Sequence, residues 1–176
     1  MSNLNNFLAG KGYGLKEVLT ASGTWNWSDA GKPKKVFVRM IGGSGGNAAN
    51  GVGSNGTSGG NTVWDTGAVV ATTTSTGGSG ALNTSRGTTT SGMPNSFSAI
   101  SNSSMIEVRN LLNSHYGSPN NGSLTETSNV WGGGYGELKE FEYEPTGNVS
   151  FTIGTGGTEG NTNAGDGIQG AIELYY

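Results

Sequence analysis

Cysteine is absent from the 176 residues, which excludes disulfides and thiolate metal sites and leaves the redox compartment open. Charge is scarce. Only 12% of the residues are Asp, Glu, Lys or Arg, and the net charge is −3, so the chain carries no electrostatic footprint for nucleic acid. Its one local basic cluster, Lys32, Lys34 and Lys35, reads as the solvated start of a strand. No run of about 18 apolar residues occurs, so no helix is expected to span a membrane. The opening stretch MSNLNNFLAGKGYG has no apolar segment of the kind a secretion signal needs. Asn-x-Ser/Thr triplets such as Asn26-Trp27-Ser28 and Asn102-Ser103-Ser104 therefore carry little weight as glycosylation sites.

What the chain has instead is glycine, 34 residues of it, against a hydrophobic content of 32%. Low charge sets it apart from ordinary disorder, which combines low hydrophobicity with high net charge. Glycine costs the most backbone entropy to order. An ordered chain this rich in it must use glycine for tight turns or for backbones that pack where no side chain fits.

Residues 1–14 read as an N-terminal arm with isolated Phe7, Leu8 and Tyr13, resting on its own domain or on a neighbour. Residues 15–176 read as a single glycine-rich β domain. The β-branched and aromatic residues of LKEVLTASGTWNWS predict a strand over Leu15–Trp27, and Asp29-Ala30-Gly31-Lys32-Pro33 is a turn cluster. In KKVFVRMIG, Val36, Val38 and Met40 share one face and Phe37 and Ile41 the other, the pattern of an inner strand. NTVWDTGAVVATTT predicts two strands around a turn at Asp65-Thr66-Gly67. A helical insertion is expected at about 104–116: Ser104 and Glu107 form a capping box, Met105, Val108, Leu112 and Tyr116 recur at helical spacing, and Gly117 is a stop.

The last third returns to β. Lys139, Phe141 and Tyr143 alternate with Glu140, Glu142 and Glu144, and Val149, Phe151 and Ile153 share a face. Between them Pro145-Thr146-Gly147-Asn148 suits a turn with Gly147 in the left-handed well. GAIELYY is a closing strand. Short strands joined by hairpin-type turns predict a mainly β chain, an antiparallel β-sandwich of jelly-roll-like form with glycine-rich loops.

The order of these pieces resembles a known family. TASGTWNW (Thr20–Trp27), KKVFVRMIGGSGG (Lys34–Gly46), GGNTVWDTGAVVATTTSTGGSG (Gly59–Gly80), GGGYGE (Gly132–Glu137), VSFTIGTGG (Val149–Gly157) and GDGIQGAIELYY (Gly165–Tyr176) follow one another as in the glycine-rich domain of bacteriophage tail-fibre and spike proteins. The resemblance covers roughly residues 20–176, apart from the helical insertion. It implies a virion structural protein, spike- or fibre-like and localised to the virion. Its implied partners are other virion proteins, further copies of itself as a homo-oligomer such as a trimer, and a host-surface glycan or protein. The tracts here are diluted with Ser, Asn and Thr, unlike the near-pure glycine runs of phage adhesins that pack polyglycine helices. That departure favours loops over a polyglycine layer.

Chemistry-bearing motifs are sparse. His115, the one histidine, sits a turn after Leu111 on the predicted helix and reads as a surface or satisfied residue, with no Gly-x-Ser-x-Gly elbow to make a triad. Glu140, Glu142 and Glu144, with Glu137 before them, have the alternation of a solvated strand face rather than of two acids converging on a bond. GTGGTEGNTNAGDG is one copy with the wrong spacing for a calcium-binding repeat. Gly10-x-Gly12-x-Gly14 lacks the preceding strand of a dinucleotide fingerprint, and no Walker lysine occurs. No catalytic, cofactor-binding or metal residues are expected, and no enzyme.

Aromatics near polar loops are the candidate receptor contacts: Trp64, Tyr116, Trp131 and Tyr135, whose flat rings suit a sugar or protein surface. Trp25, Trp64 and Phe37 equally fit as the large core residues of a small sandwich. A secreted carbohydrate- or ice-binding β protein is the alternative reading, carried by the threonine runs VATTTST and RGTTTSG.

Overall fold

A computed structural model describes residues 12–49, 54–66, 73–82, 130–131, 133–160 and 165–176. Among these there is no helix, and the strands in order are β1 (Leu15–Leu19), β2 (Gly23–Trp25), β3 (Val36–Ile41), β4 (Ala48–Ala49), β5 (Thr62–Asp65), β6 (Thr73–Ser75), β7 (Val130–Trp131), β8 (Leu138–Tyr143), β9 (Val149–Thr152) and β10 (Ala171–Tyr175). The helix expected at 104–116 lies outside the described residues.

Two antiparallel sheets of four strands form the body, in the orders β1-β10-β3-β8 and β2-β9-β5-β6. The pairings nest: β1 with β10, β2 with β9, β3 with β8 and β5 with β6. Such nesting is that of one long antiparallel ribbon, and the added pairs β10–β3 and β5–β9 close it on itself. The alternation read in KKVFVRMIG places Val36, Val38 and Met40 inward. They meet Ile172 and Leu174 of their own sheet and Trp25, Trp64, Val149 and Phe151 of the other in one core. Trp64 is its centre, with ring centroids 5.9 Å from Trp25, 6.2 Å from Tyr143 and 6.2 Å from Phe151.

Some local expectations fail. Leu15–Trp27 is not one strand but two, β1 and β2, which pair in different sheets. The break at 20–22 is what lets the ribbon turn from one sheet to the other, and Ser22 Oγ there accepts from the Ile153 amide (2.9 Å). Gly147 is not among the glycines with positive φ, which among the described residues are Gly12, Gly31 and Gly165. The turn at 145–148 therefore does not use the left-handed well. β5 and β6 pair as expected.

The larger correction concerns the glycine tracts, which are not loops. Six stretches leave or enter the sheets at one end: segment I (42–47) after β3, II (54–60) before β5, III (76–81) after β6, IV (133–137) before β8, V (154–160) after β9 and VI (165–170) before β10. Their amides and carbonyls bond from segment to segment with a period of three. In segment I the amides of Gly42 and Gly45 donate to IV (Glu137 O, 3.1 Å; Gly134 O, 2.9 Å). Those of Gly43 and Gly46 donate to II (Gly60 O, 3.0 Å; Thr57 O, 2.9 Å), and those of Ser44 and Asn47 to VI (Ile168 O, 2.9 Å; Gly165 O, 3.1 Å). Carbonyls of segment I accept from III (Gly78 and Ala81 amides) and from V (Gly157 and Gly160 amides). A three-residue period without internal hydrogen bonds is that of an extended polyproline-II-type helix, and a bundle of such helices built on glycine is a polyglycine array.

Segment I is the axis of the array. Around it IV bonds to III, III to II, II to V and V to VI. Five of the six sides of a hexagonal packing are thus taken, and no backbone bond joins VI to IV among the described residues. The sequence GGSGGN follows from this. A Cβ on Gly42 or Gly45 would come closer than 3.0 Å to backbone of III, and one on Gly43 or Gly46 equally close to backbone of V. Only the third direction, about 120° from each and lying between IV and VI, admits the side chains of Ser44 and Asn47. Peripheral segments need glycine at least once per turn, as at Gly154, Gly157 and Gly160, which face II, and segment III needs it in two directions, at Gly77 and Gly80 against II and at Gly78 against IV. The Ser, Asn and Thr dilution that argued against a polyglycine layer occupies the remaining, outward positions.

Where sheet bonding gives way to threefold bonding, side chains take up the backbone groups that change partner. Thr62 Oγ1 donates to Ile41 O (2.7 Å) and accepts from the Gly154 amide (3.1 Å). Ser75 Oγ accepts from the Gly42 amide (3.2 Å), and Asn61 Oδ1 from the Gly77 amide (3.0 Å).

Two outcomes follow. Gly45→Ala should destabilise the protein by at least about 3 kcal/mol, the overpacking range for a site whose neighbours are backbone. Gly147→Ala, whose Cβ meets nothing within 4 Å, should stay within about 1 kcal/mol of the parent; urea unfolding compares the two. Thr62→Val keeps the shape but strands a buried carbonyl and amide, and should cost about 2 kcal/mol in the same measurement.

Candidate binding surface at the tip of the glycine array

Segments I, III and V run away from the sheets and II, IV and VI run back, so the array has a far end where each outgoing segment passes to a returning one. The described chain leaves this end, the tip, at Ala49, Leu82 and Gly160 and re-enters it at Ser54, Val130 and Gly165, and residues 50–53, 83–129 and 161–164 lie outside the described residues. The opposite end of the sheets, the base, holds the turns at 26–33 and 145–148. It also holds both ends of the described chain, where the Tyr176 amide donates to Gly14 O (3.2 Å).

The tip is drawn together by polar side chains acting on backbone. Asn47 Oδ1 accepts from the Gly133 amide (2.9 Å), binding IV to I. Beyond that point β4 pairs with β7, Ala48 opposite Trp131 and Ala49 opposite Val130. Thr57 and Thr158 join II to V through their hydroxyls (3.0 Å), and the Thr158 amide also donates to Thr57 Oγ1 (2.7 Å). The mouth of the 161–164 connection is closed reciprocally. The Glu159 amide donates to Asp166 Oδ1 (2.8 Å) and the Gly165 amide to Glu159 Oε2 (2.5 Å), with Gly165 at φ 91°. Leu82, where III leaves the array, is an exposed apolar side chain, 48% accessible.

These contacts turn the two carboxylates of GTGGTEGNTNAGDG onto amides. Among the described residues no group of three or more His, Cys, Asp or Glu is placed to hold a metal ion. The strand glutamates have individual partners. Glu140 meets Arg39 (2.7 Å), Glu142 accepts from the Tyr13 hydroxyl (3.4 Å), and Glu144 meets Lys35 (3.2 Å). Glu137 sits at the junction of array and sheet, its carboxylate accepting from the Thr76 amide (3.0 Å) and hydroxyl (2.9 Å).

Two of the four expected receptor contacts, Trp64 and Tyr135, are buried among the described residues. Trp64 is fully buried in the core, the alternative its sequence context allowed, and is removed from the candidates. Tyr135 is 2% exposed and belongs to segment IV, so it is not a surface ring either. Trp131 reaches the tip by its backbone, through its pairing with Ala48. Tyr116 and His115 lie outside the described residues. Thr73 and Thr74 of the first threonine run are in β6, and the second run is not among the described residues. Sequence reasoning missed the array, and with it the tip. The signal was available as glycine recurring every third residue, at 42/45, 43/46, 56/59, 77/80, 133/136 and 154/157/160.

No transmembrane-length apolar helix occurs among the described residues. Comparison with protein-family models, with curated proteins and with solved structures found no match.

Because the array closes below each connection, residues 161–164 should be replaceable by Gly-Ser-Gly-Ser with little loss. The expected change in melting temperature is under about 3 °C, the size of a surface effect in a chain of this length. A drop of 10 °C or more would show that the connection holds the array together.

Proposed function

We propose that this chain is a bacteriophage virion structural protein, spike- or fibre-like, fixed in the particle by its base and presenting its tip to the host surface. The observation that carries this reading is the polarity of the molecule. Both ends of the described chain lie at the base, and a hydrogen-bonded glycine array holds three connections at fixed positions far from it.

Rigid scaffolds that carry variable connections at one end are suited to recognition. Of the three, 83–129 is much the longest, and its ends are held side by side, since the Gly134 amide donates to Ser79 O (2.8 Å). Sequence can therefore be added there without disturbing the array. The nested strand pairing supports a jelly-roll form for the body, an architecture recurrent in viral capsid and lectin domains. At the base, the partners are other virion proteins or further copies of this chain. At the tip the partner is a host-surface glycan or protein.

The test uses a phage that encodes the chain. Mass spectrometry of purified particles should detect it, and its absence would end the virion reading. Replacing 83–129 by a four-residue Gly-Ser connection should leave the protein in the particle and weaken equilibrium binding of particles to host cells by about tenfold or more, a loss of roughly 1.4 kcal/mol. Particles that contain this variant and adsorb normally would remove the receptor role while leaving the structural one.

A further inference from the structure

The packing that builds the array also controls chemistry on its backbone. Asn followed by Gly is the dipeptide whose backbone turns most readily on its own side chain, because glycine puts no Cβ in the way. Such pairs stand in the sequence at Asn50, Asn55 and Asn121. Asn55-Gly56 is the one within the described residues, in the first turn of segment II at the tip, and Asn55 is exposed to solvent.

The array holds the backbone on both sides of this pair. The Gly56 amide donates to Ala81 O of segment III (2.8 Å). The Ser54 amide donates to Gly160 O and the Thr57 amide to Thr158 O, both of segment V (2.9 Å each). Gly56 also lies against the axis, where a Cβ would come closer than 3.0 Å to Gly46 O, and a Cβ on Gly80 of III would come as close to Gly56 O. Cyclisation needs the Gly56 nitrogen to swing onto the Asn55 side-chain carbonyl by rotation about the Asn55 Cα–C bond. An extended threefold backbone points that nitrogen elsewhere, and the rotation would break its bond to Ala81. Asp166-Gly167, an Asp-Gly pair open to the analogous cyclisation, is held in the same way, its Gly167 amide donating to Gly157 O (2.7 Å).

We propose that Asn55-Gly56 is a deamidation site gated by the array. It is inert while III and V hold segment II, and it converts once the tip end of II opens. The freed Gly56 nitrogen gives its proton to base and bonds to Asn55 Cγ. The Cγ–Nδ2 bond breaks, and ammonia leaves with a proton taken from water. Water then opens the succinimide at either carbonyl, with one negative charge gained. Opening at Cγ gives aspartate and leaves the backbone as it was. Opening at the Asn55 backbone carbonyl gives isoaspartate, which routes the chain through Cβ and Cγ and lengthens it by one carbon. Segment II can then no longer meet Gly160 through Ser54 while it meets Ala81 and Thr158 through Gly56 and Thr57, because the array repeats every three residues. An opening of the tip that was reversible becomes permanent.

The test holds folded and urea-unfolded chain in the same mildly alkaline buffer and measures aspartate and isoaspartate at position 55 by peptide mapping. The folded chain should convert Asn55 at least about tenfold more slowly, as a site that reacts only on local opening should. Gly80→Ala crowds Gly56 without altering the reacting pair, and should move the folded-state rate toward that of the unfolded chain. When urea is removed, isoaspartate at 55 should be confined to chains that stay protease-sensitive, with aspartate at 55 found among those that refold. Equal rates in folded and unfolded chain overturn the gating, and so does a folded Gly80→Ala chain no faster than the parent. Isoaspartate at 55 among refolded chains, in the proportion it has in the whole sample, overturns the permanence. If Gly80→Ala fails to fold, the folded and unfolded parent decide.

Discussion

Everything distinctive in this protein depends on how closely one backbone can approach another. In a β-sheet, side chains stand above and below the layer, and backbones meet only edge to edge. In the glycine array, segment I meets neighbours on five sides, and each amide and most carbonyls find a partner on a different chain segment. That is possible only where the Cβ is absent, as the positions of Gly42, Gly43, Gly45 and Gly46 require. The entropy that glycine loses on ordering is offset by a hydrogen bond per peptide, each worth about 1 kcal/mol net. Apolar burial contributes little there, which is how a chain that is only 32% hydrophobic orders this much of its length.

The two parts of the molecule solve different problems and must be joined. The sheets supply the apolar core, built around Trp64 and Trp25, and fix the six points from which the segments start. The array adds no core, but extends those six points as parallel rods. The junction is delicate because strand bonding repeats every two residues and the array every three. Thr62, Ser75 and Asn61 take up the groups left over where the periods change. Hydroxyl and amide side chains suit the task because each supplies an acceptor within reach of two backbones, and a hydroxyl also donates.

What the sequence disclosed and what it hid divide along the same line. The strands were legible wherever inward and outward residues differ in kind, as with Val36, Val38 and Met40 or with Val149, Phe151 and Ile153. The break between β1 and β2 was not, because the three small residues Ala21, Ser22 and Gly23 are a weak turn signal between β-branched and aromatic neighbours, and the pairing is what separates the two strands. Trp64 was ambiguous for a related reason: a large ring next to a glycine tract fits a core and a contact equally, and composition carries no directional information. The array was misread because composition was weighed instead of period. Ser44 and Asn47 look like dilution of a glycine run, but they occupy the single direction in which segment I has room. Tyr135 reads as a loop aromatic on composition alone, whereas its position in segment IV gives it a defined direction and a buried place.

A threefold rod has a consequence that a strand or a helix does not share. Its side chains leave in three directions, and packing claims some of these for glycine while leaving the others free. Segment I is left one free direction in three, and segment V keeps one at Thr155 and Thr158, whose neighbour Gly157 must stay bare against II. Within the array, substitution is thus confined to a fixed lattice of outward positions. The connections at the tip can change in length and content while the rods beneath them keep the same spacing. The base, where strand ends and turns meet, has no such freedom. The packing rule itself thus separates the positions that glycine must hold bare from those open to substitution.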